Sequence, residues 1–191
     1  MIFSETNLKG AYVIDIERRT DDRGFFARMF CQHEFQDHGL EPVIAQANIA
    51  FSSRRGTLRG MHFQFPPAAE TKYVRCTRGA ILDIIVDLRP ESATYLQHAA
   101  VELTDDNRRG IYVPRRFAHG YQVLTEGAET TYMVGEFYSP GDEGGLRFDD
   151  PKLGLTWPLP VADMSAKDTQ WPALDEVEPE LIRRMRSDDG R

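Results

Sequence analysis

The stretch Leu58-Arg59-Gly60-Met61-His62-Phe63-Gln64, taken with Lys72, His119 and Tyr132, holds the side chains best suited to move a proton and hold an anion. Imidazole titrates near neutral pH, and an Arg or Lys within reach can stabilise the oxyanion formed when a proton leaves a carbon beside a carbonyl. The chemistry so indicated is carbanion chemistry. A histidine on a strand also serves as a hydrogen-bonded structural residue, so the surrounding elements must choose between the two readings.

The chain of 191 residues is long enough for one well-buried core and at most one domain with appendages. Its 41% hydrophobic and 28% charged residues are ordinary for a soluble globular protein. A net charge of -7 argues against a general nucleic-acid binder, which carries a basic footprint, but leaves room for a local Arg and Lys cluster on a small anion. No apolar run approaches the roughly 18 to 20 residues needed to cross a bilayer, and Met1-Ile2-Phe3-Ser4-Glu5 has no basic segment before an apolar one. A cytoplasmic protein is expected. Cys31 and Cys76 are too few and too far apart for a disulfide framework or a zinc site, and both are expected to be reduced and at least half-buried.

Alternation of apolar and polar residues predicts a strand over 10–19, ending at the turn-forming Asp21-Asp22-Arg23-Gly24, and an aromatic-rich extended run over 25–30. Residues 31–38 have helical composition and stop at Gly39. The next strand, 43–51, carries Gln46 and Asn48 on one face, placed either to hydrogen-bond a polar ligand or to form a satisfied polar ladder. Beyond the His62 strand, broken by Pro66-Pro67, come Lys72 to Thr77 and the β-branched run 80–89, in which Asp83 and Asp87 need partners. Further strands are expected over 98–103, 110–113, 120–124 and 129–138. Short strands at intervals of about ten residues, without alternating helical patterns, predict an all-β antiparallel sandwich or barrel with short peripheral helices. From Ser139 the composition shifts to Gly, Pro, Asp and Trp and reads as ordered surface loops, followed by a helix over 179–186 with Pro179 in its first turn.

Several blocks in register now carry a resemblance. Leu58 to Gln64, Lys72-Tyr73-Val74-Arg75-Cys76-Thr77-Arg78-Gly79, Asp83 to Arg89, Val113-Pro114-Arg115-Arg116-Phe117-Ala118-His119-Gly120, Glu143 to Pro151 and Ser165-Ala166-Lys167-Asp168 together resemble the dTDP-4-dehydrorhamnose 3,5-epimerase family. The resemblance runs from about residue 3 to residue 175, which makes 1–175 a single cupin-like domain and 176–191 a helical, charged tail. It implies a cupin-type jelly roll, a homodimer that exchanges an N-terminal strand, and no metal or organic cofactor. The implied reaction inverts C3 and C5 of a nucleotide-linked 4-keto-6-deoxyhexose. Both carbons flank one ketone, so one anion site serves both abstractions. A 3-only or 5-only epimerase using another nucleotide, or a cupin that binds a nucleotide sugar without catalysis, are the alternatives.

By this resemblance His62 is the general base, Asp168 its orienting carboxylate, Tyr132 the acid on the opposite face and Lys72 the stabiliser of the enolate. Arg59 and His119 resemble diphosphate and sugar contacts. Arg23, Gln46, Asn48, Glu143 and Lys167 fall at nucleotide and substrate positions, and Tyr138 at that of the aromatic that stacks on the base. Tyr132 and Tyr138, six apart, share a face if their strand is continuous. His33, His38 and His98 match nothing catalytic.

Three positions depart from the family pattern. Metal-holding cupins offer two histidines one residue apart, whereas Gln64 follows Phe63 here, so no metal is expected. Arg28 stands where Glu is common, turning an acceptor into a donor fork on the nucleotide side. Arg116 stands where Gly is usual, which predicts either a different turn or strain of about 1–2 kcal/mol, and places a cation near His119 for a phosphate.

Overall fold

The computed structural model describes residues 1–186. Its strands are β1 (Ile2–Glu5), β2 (Tyr12–Asp15), β3 (Arg19–Asp21), β4 (Gly24–Phe26), β5 (Gln46–Ser52), β6 (Leu58–Gln64) and β7 (Lys72–Arg78). They continue with β8 (Ala80–Asp87), β9 (His98–Thr104), β10 (Gly110–Val113), β11 (Phe117–Val123), β12 (Ala128–Val134) and β13 (Glu143–Gly145). The helices are α1 (Gln32–Asp37) and α2 (Leu174–Met185), and a short 3-10 turn covers Asp168–Gln170. One antiparallel sheet has the order β1-β2-β10-β7-β12-β5 and the other β13-β6-β11-β8-β9, while β3 and β4 form a separate hairpin. The architecture is the all-β, cupin-type jelly roll expected from the sequence.

Strand periodicity accounts for the layers. On β8 the odd residues Ile81 and Ile85 meet Val74, Cys76, Ile111 and Val113 between the sheets. The even residues Ile84 and Val86, with Leu88 just past the strand, point outward, where Met61, Phe63, Leu146, Leu153 and the α2 side chains Leu174, Leu181 and Met185 cover them. Both faces of β8 are buried, which is why 80–89 reads as a nearly unbroken apolar run. Phe35 of α1 covers Tyr73, Tyr112 and Ile14 on the outer face of the first sheet. Cys31 and Cys76 are free thiols, and burial pushes the Cys76 thiol up to about 11.

Several boundaries differ from expectation. The run 10–19 divides into β2 and the hairpin strand β3, and the exposed edge strand β1 precedes them. The strand expected to reach Tyr138 ends at Val134. Helix α2 starts at Leu174, five residues before Pro179, so Pro179 lies inside it and the expected boundary at residue 176 cuts through it. Burial of its three apolar anchors contributes about 2 kcal/mol each, which ties the helix to the domain; residues 187–191 of the expected tail lie outside the described residues. Arg116 does adopt the left-handed backbone of a glycine position, with φ 64°. Its guanidinium donates to Glu91 Oε1 at 2.6 Å and to the Met185 carbonyl at 2.8 Å, so it caps the end of α2 instead of facing a phosphate site. Among the described residues no helix is long and apolar enough to cross a membrane.

Candidate active site

The site begins with an irregularity between β6 and β11. His119 pairs with His62, yet two residues further on Tyr121 pairs with Arg59, three residues back, so β6 carries one extra residue. In a regular strand Arg59 and His62 would face opposite sides; the bulge turns both inward. Glycine makes it possible. Gly60 has φ 123°, and a Cβ added there would lie 2.6 Å from the Gly120 Cα and 2.8 Å from the His119 carbonyl oxygen.

His62, Arg59, His119 and Tyr121 therefore form one wall, on the five-stranded sheet. Lys72 of β7, Tyr132 of β12 and Ala50 of β5 form the facing wall, and the cavity between them has a volume of about 130 Å³. Arg59 spans the gap to β5, donating from Nε to Ser52 Oγ at 3.1 Å and from a terminal nitrogen to the Phe51 carbonyl at 3.2 Å. Lys72 Nζ pairs with Glu70 Oε1 at 3.1 Å, and both side chains are only about a tenth exposed, at 11% and 13%. A second hollow of about 120 Å³, lined by Met1, Glu17, Arg19, Phe26, Arg28 and Glu34, has most of its charges tied up in ion pairs, the Met1 amine with Glu17 and Glu34 and Arg28 with Glu34.

The buried Asp168 accepts from His62 Nε2 at 2.6 Å and, through its other oxygen, from the Gly60 N–H at 3.3 Å. Burial alone would raise the Asp168 carboxyl, but the His62 ring and the Gly60 N–H outweigh it and hold it below the usual range. An ionised carboxylate only accepts, so Nε2 carries the proton of neutral His62 and Nδ1 keeps the free lone pair. Among the described residues Nδ1 has no hydrogen-bond partner. His119 makes a second such pair, its Nε2 lying 2.8 Å from Oδ2 of the fully buried Asp83. On the facing wall, burial and the Glu70 carboxylate raise the Tyr132 phenol while Arg59 opposes them. Tyr132 is therefore protonated at neutral pH and able to donate.

Of the residues expected from the sequence, His62, Tyr132, Lys72, Arg59 and His119 line one cavity, with Asp168 directly behind His62. Glu143, Lys167 and Tyr138 meet beside it: the Tyr138 hydroxyl donates to Glu143 Oε2 at 2.8 Å and Lys167 pairs with the same oxygen. Burial would raise the Glu143 carboxyl, but Lys167 and Tyr138 outweigh it, and its charge also reaches His62. Tyr138 does not share a strand face with Tyr132; it is exposed on the loop after β12, where its N–H donates to Gln46 Oε1 at 3.1 Å. Asn48 lies opposite Tyr132 in the ladder, on the face that Ala50 presents to the cavity.

Arg23 and Arg28 are not brought to the cavity within one chain. Arg23 stands at the hairpin tip, paired with Asp21 and 90% exposed, and Arg28 pairs with Glu34 at 3.1 Å. Gln64, where a metal-binding cupin has its second histidine, is buried and bonds the carbonyls of Ala68 and Phe137 and the Ser139 N–H. Among the described residues no group of three or more His, Cys, Asp or Glu converges as metal ligands do. Sequence reasoning missed Tyr121, Ala50 and Glu70. Glu70 was detectable as an acid two residues before Lys72, whereas Tyr121 and Ala50 carry no chemical signature of their own. It noted that Asp83 needs a partner without finding His119.

Comparison with known proteins gives the family of the chain as a whole. The family profile of dTDP-4-dehydrorhamnose 3,5-epimerase matches residues 5–176. The chain is 42% identical over 177 residues to the dTDP-4-dehydrorhamnose 3,5-epimerase of Methanothermobacter thermautotrophicus, covering 91% of this chain and 95% of that one. It superposes on the crystal structure of the enzyme of that name from Elizabethkingia anophelis with a TM-score of 0.89 at 37% identity, covering 92% and 97% of the two chains. A Bacillus anthracis structure of the same name, with TDP and PPi bound, gives a TM-score of 0.87 at 36% identity, covering 91% and 99%. With its paired histidines, lysine and phenol set in this cavity, the chain belongs to the dTDP-4-dehydrorhamnose 3,5-epimerase family.

Proposed function

We propose that this cavity converts dTDP-4-dehydro-6-deoxy-D-glucose to dTDP-4-dehydro-L-rhamnose, with His62 taking the proton from C3 and from C5 in turn. Abstraction at either carbon sends the electron pair to the C4 oxygen. The Lys72 ammonium stabilises that oxyanion, and charge preorganised in this way can supply several kcal/mol. Tyr132 returns a proton from the other side of the sugar. Arg59 and His119 hold the diphosphate and sugar, while Gln46, Asn48, Glu143, Lys167 and Tyr138 bound the mouth where the nucleotide rests. The step needs only an acid, a base and a fixed cation, so the reading requires no cofactor.

The observation that carries this reading is that His62 and Tyr132 line one cavity from facing sheets. Inversion requires removal on one face and delivery on the other. Solvent deuterium wash-in at C3 and C5 tests it: His62→Asn should abolish exchange at both carbons, while Tyr132→Phe should retain part of the abstraction. Equal, mild losses in the two variants would refute the assignment, and the ratio of C3 to C5 label shows whether both carbons are inverted.

We further propose that a second copy of the chain completes the nucleotide side by exchanging N-terminal segments. The hairpin supports this: Phe26 is 70% exposed beside Arg23, while Phe25 is clamped by Arg18 and Arg108 at 4.9 and 5.2 Å from its ring centroid. Arg23 and Arg28 would then reach the partner's pocket. Co-expressed Arg23→Ala and His62→Asn chains should regain exchange that neither has alone; mixed dimers without activity would sink the exchange.

A further inference from the structure

Trp171 has no part in the chemistry above, yet it lies against the base. Its ring centroid is 6.2 Å from that of His62 at an interplanar angle of 69°, an edge-to-face contact. The Lys167 ammonium lies 5.6 Å from the same ring. The indole Nε1 is buried, and among the described residues it has no hydrogen bond of regular geometry. It is nonetheless near enough to the Asp168 carboxylate to join His62 and the Gly60 N–H in opposing the effect of burial there.

The space that the ring fills is made by glycine. Gly145 of β13 pairs with His62 across the ladder, and a Cβ on it would run into the Trp171 ring. Gly145 has no positive φ, so its need for hydrogen as a side chain is the indole itself. The His62–Asp168 pair is thus enclosed by the bulged backbone at Gly60, by β13 and by an aromatic ring.

We propose that Trp171 is a positioning residue for proton abstraction: its ring fixes the plane of the His62 imidazole, and with its N–H it shields the carboxylate face of the pair from water. The inference rests on His62 being the base. Unconstrained, the imidazole could swing about its bond to Asp168 and lose alignment with the C–H bonds that it must attack. Alignment errors of this kind lower the rate of chemistry without weakening binding.

The experiment measures steady-state constants and deuterium wash-in for Trp171→Leu, Trp171→Phe and Gly145→Ala. Trp171→Leu and Gly145→Ala should each lower kcat roughly tenfold to a hundredfold, with KM within about twofold. Trp171→Phe keeps an aromatic edge against His62 and should recover most of the loss, which a role in folding alone would not give. Combining Trp171→Leu with Gly145→Ala should cost little beyond either change, because the glycine serves the indole. A folded Trp171→Leu enzyme with unchanged kcat overturns the proposal, and so does a raised KM at constant kcat, which would make the indole a substrate contact. If Trp171→Leu does not fold, Gly145→Ala decides by the same criteria, a folded variant with unchanged kcat overturning the proposal. Exchange that survives His62→Asn would defeat the underlying assignment of the base; exchange that is lost there but untouched at Trp171 would defeat only this inference.

Discussion

Replacing Asp168 by Asn keeps the shape of the carboxylate and changes what it can accept. The charged bond at 2.6 Å to His62 Nε2 is lost, and bonds to charged groups are worth about 1.5–3 kcal/mol. At about 1.4 kcal/mol per decade that is roughly a tenfold to 150-fold loss of rate. The second contact pushes the loss toward the upper end. The Gly60 N–H donates to the other oxygen at 3.3 Å, and the amide has only one oxygen. If that oxygen serves Gly60, the amide nitrogen faces Nε2, which must then accept and leave its proton on Nδ1. The nitrogen needed as the base is blocked. We therefore expect deuterium wash-in at C3 and C5 to fall by about a hundredfold, with KM changed no more than a few-fold. A folded Asp168→Asn enzyme that exchanges both protons at near wild-type rate would show that the carboxylate does not set the tautomer of His62, and the argument from Nδ1 would fail with it.

Gly120→Ala should disturb the bulge, since its Cβ would lie 2.6 Å from Met61 Sδ and 2.8 Å from the Arg59 carbonyl oxygen. A cost of about 1–3 kcal/mol, or roughly 3–9 °C in Tm, should accompany a fall in kcat, and a change in Tm alone would separate the bulge from the chemistry. At the fully buried Asp87, burial raises the carboxyl but Arg89, Ser92 and Thr94 outweigh it, so its folded pKa lies below the ordinary 3.8. The stability it contributes is complete above 3.8 and lost as pH falls through the folded value. Asp87→Asn should cost about 3 kcal/mol at neutral pH and flatten the acid limb of urea midpoints plotted against pH; an unchanged limb would refute the linkage. Prolonged treatment with EDTA should leave wash-in intact, and a loss restored by a divalent metal would overturn the cofactor-free reading.

The strands that frame the pocket were legible because their apolar residues alternate, and His62, Lys72 and Tyr132 lie on them at positions that the pattern could place, whereas His119, one residue before the strand expected over 120–124, lies inside β11 (Phe117–Val123). The parity of β6 was not. Alternation sets Arg59 and His62 on opposite faces, and only the close contact of Gly60 with Gly120, 60 residues along the chain, brings them together. The start of α2 was hidden for a related reason. Its N-cap Ala173 offers no side-chain bond, and the Leu174 N–H is capped at 2.6 Å by Asp150 from 24 residues away. Tyr138 misled because a six-residue spacing implies a shared face only while the strand continues, and β12 ends at Val134. β13 escaped notice because Glu-Gly-Gly has poor strand propensity; what selects glycine at Gly145 is the indole of Trp171.

Mounting the base on one sheet and the phenol on the other has a consequence for how such an enzyme can change. The layer of Val74, Cys76, Ile81 and Ile85 acts as the spacer that sets the gap between the two groups. A substitution there that thickens or thins the spacer would alter how well both groups reach the sugar at once, without touching either. On the proposed assignment deprotonation depends on one sheet and delivery on the other, so stereochemical outcome can drift while the capacity to form the enolate persists.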